Sequence, residues 1–124
     1  MEFYNFKKDT GTEITKFDSN FVMSRIVRTV NPTHIGFMYL EHDGLIGFHQ
    51  ATMPQLLLIV SGTGFVRGES TEYLKVEPGT AVFWTKGEWH ETKTDSGLTA
   101  IVIECEDLNP SSYMSNLENY EKLV

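Results

Sequence analysis

Gly44-Leu-Ile-Gly-Phe-His49-Gln50-Ala51-Thr-Met-Pro54-Gln55-Leu-Leu-Leu-Ile-Val-Ser-Gly62 is the stretch that decides how this chain folds. A second stretch, Gly79-Thr-Ala-Val-Phe-Trp84-Thr85-Lys-Gly87-Glu88-Trp-His90-Glu-Thr-Lys-Thr94, answers it. In an extended chain side chains alternate between faces, so His49 shares a face with Ala51, and Gln55 resumes after the break that Pro54 imposes. His90 stands just past the turn Thr85-Lys86-Gly87-Glu88 and shares its face with Thr92 and Thr94, while Trp89 and Glu91 point the other way. One histidine and one amide, His49 and Gln55, could thus face a common pocket; spacing by itself does not decide whether His90 joins them.

Outward from these stretches, from Phe21 to Glu104, short apolar or alternating runs are separated by Gly, Pro, Asn and Asp, the pattern of many short antiparallel strands. Strands are expected over Phe21 to Val30, His34 to Leu40, Leu45 to His49, Gln55 to Ser61, Gly64 to Arg67, Glu72 to Val76, Thr80 to Thr85, Glu91 to Thr94 and Leu98 to Glu104. Asn31-Pro32, Asp43-Gly44, Ser61-Gly62-Thr63-Gly64, Pro78-Gly79, Lys86-Gly87 and Asp95-Ser96-Gly97 supply the positive φ angles and preset proline geometry of tight reversals. Such spacing predicts an antiparallel barrel or sandwich. After Glu104 the pattern stops. Tyr113, Leu117, Tyr120 and Val124 recur at helical spacing, and Ser115 with Glu118 offers a capping box, so a short C-terminal helix over about 110–122 is expected to cover the barrel's outside.

A chain of 124 residues fits one domain, and an apolar fraction of 40% supports a buried core. The net charge of −7 repels phosphate backbones and anionic lipid, so neither nucleic acid nor membrane is expected as a partner. The longest apolar run, Leu56 to Val60, is far below spanning length, and Met-Glu-Phe-Tyr-Asn-Phe-Lys-Lys lacks a signal-like apolar stretch, so a cytoplasmic location is expected. Cys105 is the only cysteine, which excludes an internal disulfide and a thiolate metal cluster, and it reads as a small buried apolar residue.

The two opening stretches resemble the paired motifs of the cupin superfamily. The first family motif runs Gly, five residues, HxH, three or four residues, Glu, six residues, Gly. Here Gly44, His49-Gln50-Ala51, Gln55 and Gly62 match it, with Gly44 one residue too close, Ala51 in place of histidine and Gln55 in place of glutamate. The second runs Gly, five residues, PxG, two residues, His, three residues, Asn, and Gly79, Thr85, Gly87, His90 and Thr94 occupy those places, Thr85 and Thr94 departing from it. The resemblance covers roughly residues 34–104. It implies an all-β fold, the antiparallel double-stranded β-helix or jelly-roll barrel of a small single-domain cupin, and it implies a homodimer.

Full cupin sites hold manganese, iron, nickel, copper or zinc on three histidines and a glutamate. The resemblance therefore implies one divalent transition metal on His49, Gln55 and His90, a neutral set without a compensating anion. Glu88 is the nearest acid in sequence, and His42, in the polar turn between Glu41 and Asp43, is an alternative for the lost ligand. A metal-free pocket, in which the three side chains hydrogen-bond one another or a ligand, is the competing outcome. Apolar walls with a few convergent polar groups describe a small-molecule site, and Met38, Trp84 and Glu88 are the candidate ligand-binding residues. His34, after Pro32 and Thr33, reads as an exposed turn residue.

Three activities follow from the resemblance: a metal-dependent dioxygenase or isomerase, a metal-free epimerase using His49 or His90 as base with Glu104 as the available partner, and a ligand-sensing or storage module without chemistry. Binding of a small molecule in the barrel is common to all three.

Overall fold

A computed structural model describes residues 1–117 and 120. Its strands are β1 (Glu2–Asn5), β2 (Thr12–Ile14), β3 (Phe21–Met23), β4 (His34–Leu40), β5 (Leu45–Gln50), β6 (Gln55–Gly62), β7 (Gly64–Arg67), β8 (Leu74–Val76), β9 (Thr80–Trp84), β10 (Trp89–Lys93), β11 (Leu98–Glu104) and β12 (Ser115–Asn116). A six-stranded sheet runs β12-β1-β9-β6-β11-β4, a four-stranded sheet runs β5-β10-β7-β8, and β2 with β3 forms a separate ribbon. All pairings are antiparallel.

The continuous apolar run of β6 is explained by cover on both sides. Leu57 and Ile59 point between the two sheets, where they meet Val66 and Val76 of the smaller sheet and Val82, Trp84, Ala100 and Val102 of their own. Leu56 and Leu58 point outward into a second cluster with Tyr4, Phe83, Ile103, Cys105, Leu108 and Met114. Ile26 and Val27, from the irregular segment after β3, pack on this outer cluster. A strand buried on both faces carries no alternation for sequence patterning to find. The same applies to β1, which was not expected: Phe3 faces the inner core and Tyr4 the outer one.

Two expectations are corrected. The strand expected over Phe21 to Val30 stops at Met23, and the chain reaches β4 without regular structure. No α-helix forms in the described part of 110–122: Pro110–Ser112 is a single 3-10 turn and Ser115 lies in β12, opposite Asn5, so it caps nothing. Glu118 and Val124 lie outside the described residues. Beyond the short β12, Leu117 donates its backbone N–H to the Phe3 carbonyl at 2.8 Å. Tyr120 stacks on Phe3, with centroids 4.1 Å apart, and donates its hydroxyl to the Lys75 carbonyl at 2.6 Å. This segment covers both faces: Met114 joins the outer cluster, while Leu117 and Tyr120 cover the inner core between the sheets. Among the described residues no helix is long and apolar enough to cross a membrane.

The turn glycines behave as their sequence context requires, with positive φ at Gly62, Gly79, Gly87 and Gly97. At Gly62, φ is +78°, and a Cβ built there would lie 2.2 Å from the Gly97 carbonyl oxygen. Gly62→Ala is therefore expected to cost about 2 kcal/mol, from left-handed backbone and a clash with main chain that has no soft end to yield. Chemical denaturation checks it; a loss under half that size would mean that the β6–β7 turn has another conformation open to it.

Candidate functional site

The smaller sheet carries the polar centre. In the β5–β10 ladder His49 stands directly opposite His90, and between this pair and the next, Ile46 opposite Thr92, β5 spends one residue more than β10. This β-bulge, at Gly47 and Phe48, bends the strand and re-aims its side chains. A side chain at Gly47 would meet only open space, and the Gly47 carbonyl lies within reach of the His49 ring.

On the outer face Phe48 stacks on Trp89 with centroids 5.2 Å apart, and the Arg67 guanidinium sits 4.1 Å over the Phe48 ring. Arg67 also donates from Nε to Glu91 at 3.2 Å, and the Tyr73 hydroxyl donates to the same carboxylate. These donors hold the Glu91 carboxyl below the usual range. With Phe48, Trp89 and Glu91 anchored outside, His49 and His90 are left to face inward.

The two imidazoles meet through Nε2 atoms 3.1 Å apart, with rings nearly perpendicular. His49 Nδ1 lies 2.6 Å from the Gly47 carbonyl. A carbonyl only accepts, so Nδ1 of neutral His49 holds the hydrogen and Nε2 presents its lone pair. The neutral pair is then joined by His90 Nε2–H donating to His49 Nε2. His90 is buried, and burial first, then the neighbouring His49, pushes its pKa from 6.5 down to about 4, against a smaller upward pull from Glu88. The Trp84 indole packs on the His90 ring at 4.4 Å between centroids. Among the described residues neither His90 Nδ1 nor Trp84 Nε1 has a hydrogen-bond partner, although both are buried.

Gln55 is placed on the facing sheet, directly opposite Trp84 on β9 and Glu104 on β11, with the same parity as the inward Leu57 and Ile59. Ala51, at the lost histidine position, is buried and exchanges backbone hydrogen bonds with Gly87 and Glu88, which extends the ladder to the turn before β10. Met38 packs against the inner core. Glu88 accepts from the Met1 ammonium at 2.7 Å and from the Thr85 N–H and hydroxyl at 2.9 Å each. Burial pushes its carboxyl up, but these donors outweigh that and hold it below its ordinary value. Glu88 also lines a cavity of about 450 Å³ with Glu69, Glu72, Leu74 and Trp89, whose walls do not include the histidine pair.

His42 is exposed and pairs with Asp43 at 3.0 Å, as a polar turn requires. His34 is exposed, as its turn context suggested, but its Nδ1 lies 3.3 Å from Glu104. The acid available to orient a catalytic imidazole thus faces His34. That pairing has a signal that was missed: His34 and Glu104 end two strands that run antiparallel in register.

Two nitrogens bound side by side to one ion at about 2.0–2.1 Å each stand about 3 Å apart, so the 3.1 Å between the Nε2 atoms suits a metal as well as it suits a hydrogen bond. The His49 Nδ1–H to carbonyl contact is the usual support of a metal-bound imidazole. Two observations oppose the fit. No cluster of three His, Cys, Asp or Glu side chains is assembled among the described residues, and His90 lacks the supporting contact that His49 has. The protein supplies two neutral nitrogens, which is an incomplete site.

A six-stranded and a four-stranded sheet folded over one core, with paired inward histidines on the smaller sheet, define a jelly-roll barrel. The chain has the cupin fold. It superposes on a cupin superfamily protein from Desulfitobacterium hafniense with a TM-score of 0.57 at 12% identity, over 68% of this chain and 77% of that one. A cupin-2 domain protein from Shewanella frigidimarina gives 0.53 at 15% identity over 64% and 76%. A predicted oxalate decarboxylase from Thermotoga maritima gives 0.51 at 18% identity over 56% and 62%. No family model and no curated protein matches the sequence.

Proposed function

We propose that this protein binds a small molecule inside the barrel, with the His49–His90 pair as polar anchor and Trp84 as the apolar wall beside it. The observation that carries this reading is the pair itself. His90 is buried and uncharged at neutral pH, its partner is exposed, and their ring nitrogens converge with no carboxylate among the described residues hydrogen-bonded to either. Neutral imidazoles each offer one donor and one acceptor, so a ligand that displaces the His–His contact finds both kinds of group in place. The unpartnered His90 Nδ1 and Trp84 Nε1 add an acceptor and a donor nearby.

In this form the protein is metal-free and does no chemistry. It is a sensing or storage module, because the acid that would orient a catalytic base faces His34. A second reading is favoured by the Nε2 spacing: a divalent transition metal held by His49 and His90, with the Gln55 carbonyl oxygen and the ligand's own oxygens completing the shell. Such an ion would polarise a bound carbonyl or carboxylate.

One experiment separates the two. Trp89→Phe leaves Trp84 as the sole indole, and its emission is followed while zinc or nickel, and then a panel of small carboxylic acids, amides and sugars, is titrated. On the metal-free reading zinc leaves the emission unchanged, a panel member shifts it and is recovered unmodified, and His49→Ala weakens that binding at least tenfold. Stoichiometric zinc binding, lost in both His49→Ala and His90→Ala, establishes the metal reading instead. Binding by the panel that survives both substitutions removes the pair from the site.

A further inference from the structure

The cavity of about 450 Å³ lined by Glu69, Glu72, Leu74, Glu88 and Trp89 lies outside the reading above, since neither histidine borders it. Its volume is that of a small-molecule site. The charges on its wall are one-sided. Three carboxylates stand against a single cation, the Met1 ammonium, which Glu88 takes at 2.7 Å. Among the described residues the side chains of Glu69 and Glu72 meet no cation and no hydrogen-bond donor; only the Glu72 backbone is engaged, its N–H donating to Ser70 Oγ at 3.1 Å.

The loop 68–72 that carries the two acids is fixed by Arg67, whose Nη1 donates to the Gly68 and Ser70 carbonyls at 3.3 and 3.4 Å. The charge of Arg67 is met by Glu91, so the cation that positions the loop is not one that answers its acids. The wall also holds an indole. One face of Trp89 is stacked on Phe48, and the residue is still 37% exposed. Among aromatic rings an indole holds a cation best.

The placement of the acids decides which cation suits them. A metal ion needs its ligands gathered on one point, and no three His, Cys, Asp or Glu side chains are so gathered among the described residues. Acids spread around a cavity far larger than an ion suit a molecule whose positive charges are themselves spread along an apolar stem. The wall already holds one group of this chemistry, the primary ammonium of Met1 on Glu88.

We propose that this cavity binds an aliphatic diamine, its two ammonium groups meeting Glu69 and Glu72 and its methylene stem lying against Leu74 and Trp89. With three acids and the Met1 ammonium on the wall, a diammonium brings the site to neutrality. An anion would meet those acids inside a chain of net charge −7, and a neutral sugar would leave two carboxylates unanswered. The site is separate from the His49–His90 pair and loads independently of it.

Titration of 1,4-diaminobutane into nitrogen-labelled protein tests this. The chain has two tryptophans, and Trp89→Phe assigns their indole N–H signals. The diamine is expected to move the Trp89 signal and leave that of Trp84 in place. Glu69→Gln/Glu72→Gln should raise the dissociation constant at least tenfold, whereas Glu41→Gln/Glu106→Gln, which removes the same charge outside the cavity, should change it less than twofold. His49→Ala should also leave it within twofold, which keeps this result apart from binding in the barrel interior. The proposal is overturned by an unmoved Trp89 signal at millimolar diamine, by calcium or succinate binding as tightly, or by equal losses in the two glutamine pairs. Loss of binding in His49→Ala would overturn it too, by placing the amine at the histidines.

Discussion

Trp84→Ala is expected to lower the free energy of unfolding by about 3–5 kcal/mol, the range for removing a large aromatic side chain from a closed core. Trp84 is fully buried at the end of β9, between the inner apolar cluster and the His90 ring, so its loss opens a cavity at the junction of core and site. Against a typical total of about 5–15 kcal/mol, that is about a fifth or more of the fold's stability. Trp84→Phe provides the control. It gives up part of the ring but also removes an indole N–H that has no partner among the described residues, so it should lose less than half as much. Urea denaturation of the three proteins reads both values. If phenylalanine cost as much as alanine, the indole nitrogen would have to be bonded, and its place as an open donor beside the site would fall.

Acid is expected to destabilise the wild type through His90. In the unfolded chain its imidazole titrates near 6.5, whereas in the folded chain the value is about 4. Between these two values the unfolded state binds a proton that the folded state refuses, so stability falls as pH falls through that window. It is unaffected by this group above pH 6.5 and gains no further slope below about 4. At about 1.4 kcal/mol for each pH unit between the two values, the window removes about 3 kcal/mol. His90→Gln, which does not titrate, should flatten the stability profile between pH 6.5 and 4 and leave the rest of the curve in place. An unchanged slope in the variant would show that His90 is protonated as easily in the folded protein as in the unfolded one.

Where the sequence spoke clearly, it did so through punctuation. The limits of β4, β7 and β11 were readable to the residue because each runs between turn signals and alternates or is β-branched. The glycines of the reversals were readable for the same reason. What failed was periodicity without context. Tyr113 and Leu117 are spaced as on a helix, yet among the described residues Tyr113 only closes a single 3-10 turn and Leu117 bonds to β1. With β1 invisible in the sequence, the partner that draws this segment out of a helix was invisible too.

The site was legible in outline for a similar reason. The resemblance put His49 and His90 on two strands, and these are direct neighbours in the ladder. The bulge at Gly47 left only a weak trace, a glycine inside a strand. The pairing of Glu104 with His34 needed the register of β4 on β11, which no local pattern supplies. Gln55 was expected to share a pocket with the histidines; its backbone lies on the facing sheet, opposite Trp84, whose indole packs on His90.

The double cover of β1, β9, β6 and β11 divides labour within the molecule. These strands are clamped from both sides, so substitutions there are felt in two cores at once, whereas the outer face of β4 is left open. The four-stranded sheet has apolar backing on its inner face, and β5, which bears His49, is its edge and hangs on one ladder to β10. A visiting molecule that pries at β5 disturbs that single ladder and leaves the clamped strands at rest. The barrel thus separates a rigid foundation from a compliant rim. Of the proposed pocket only His49 sits on that rim; His90 stands one strand further in, and Trp84 belongs to the larger sheet.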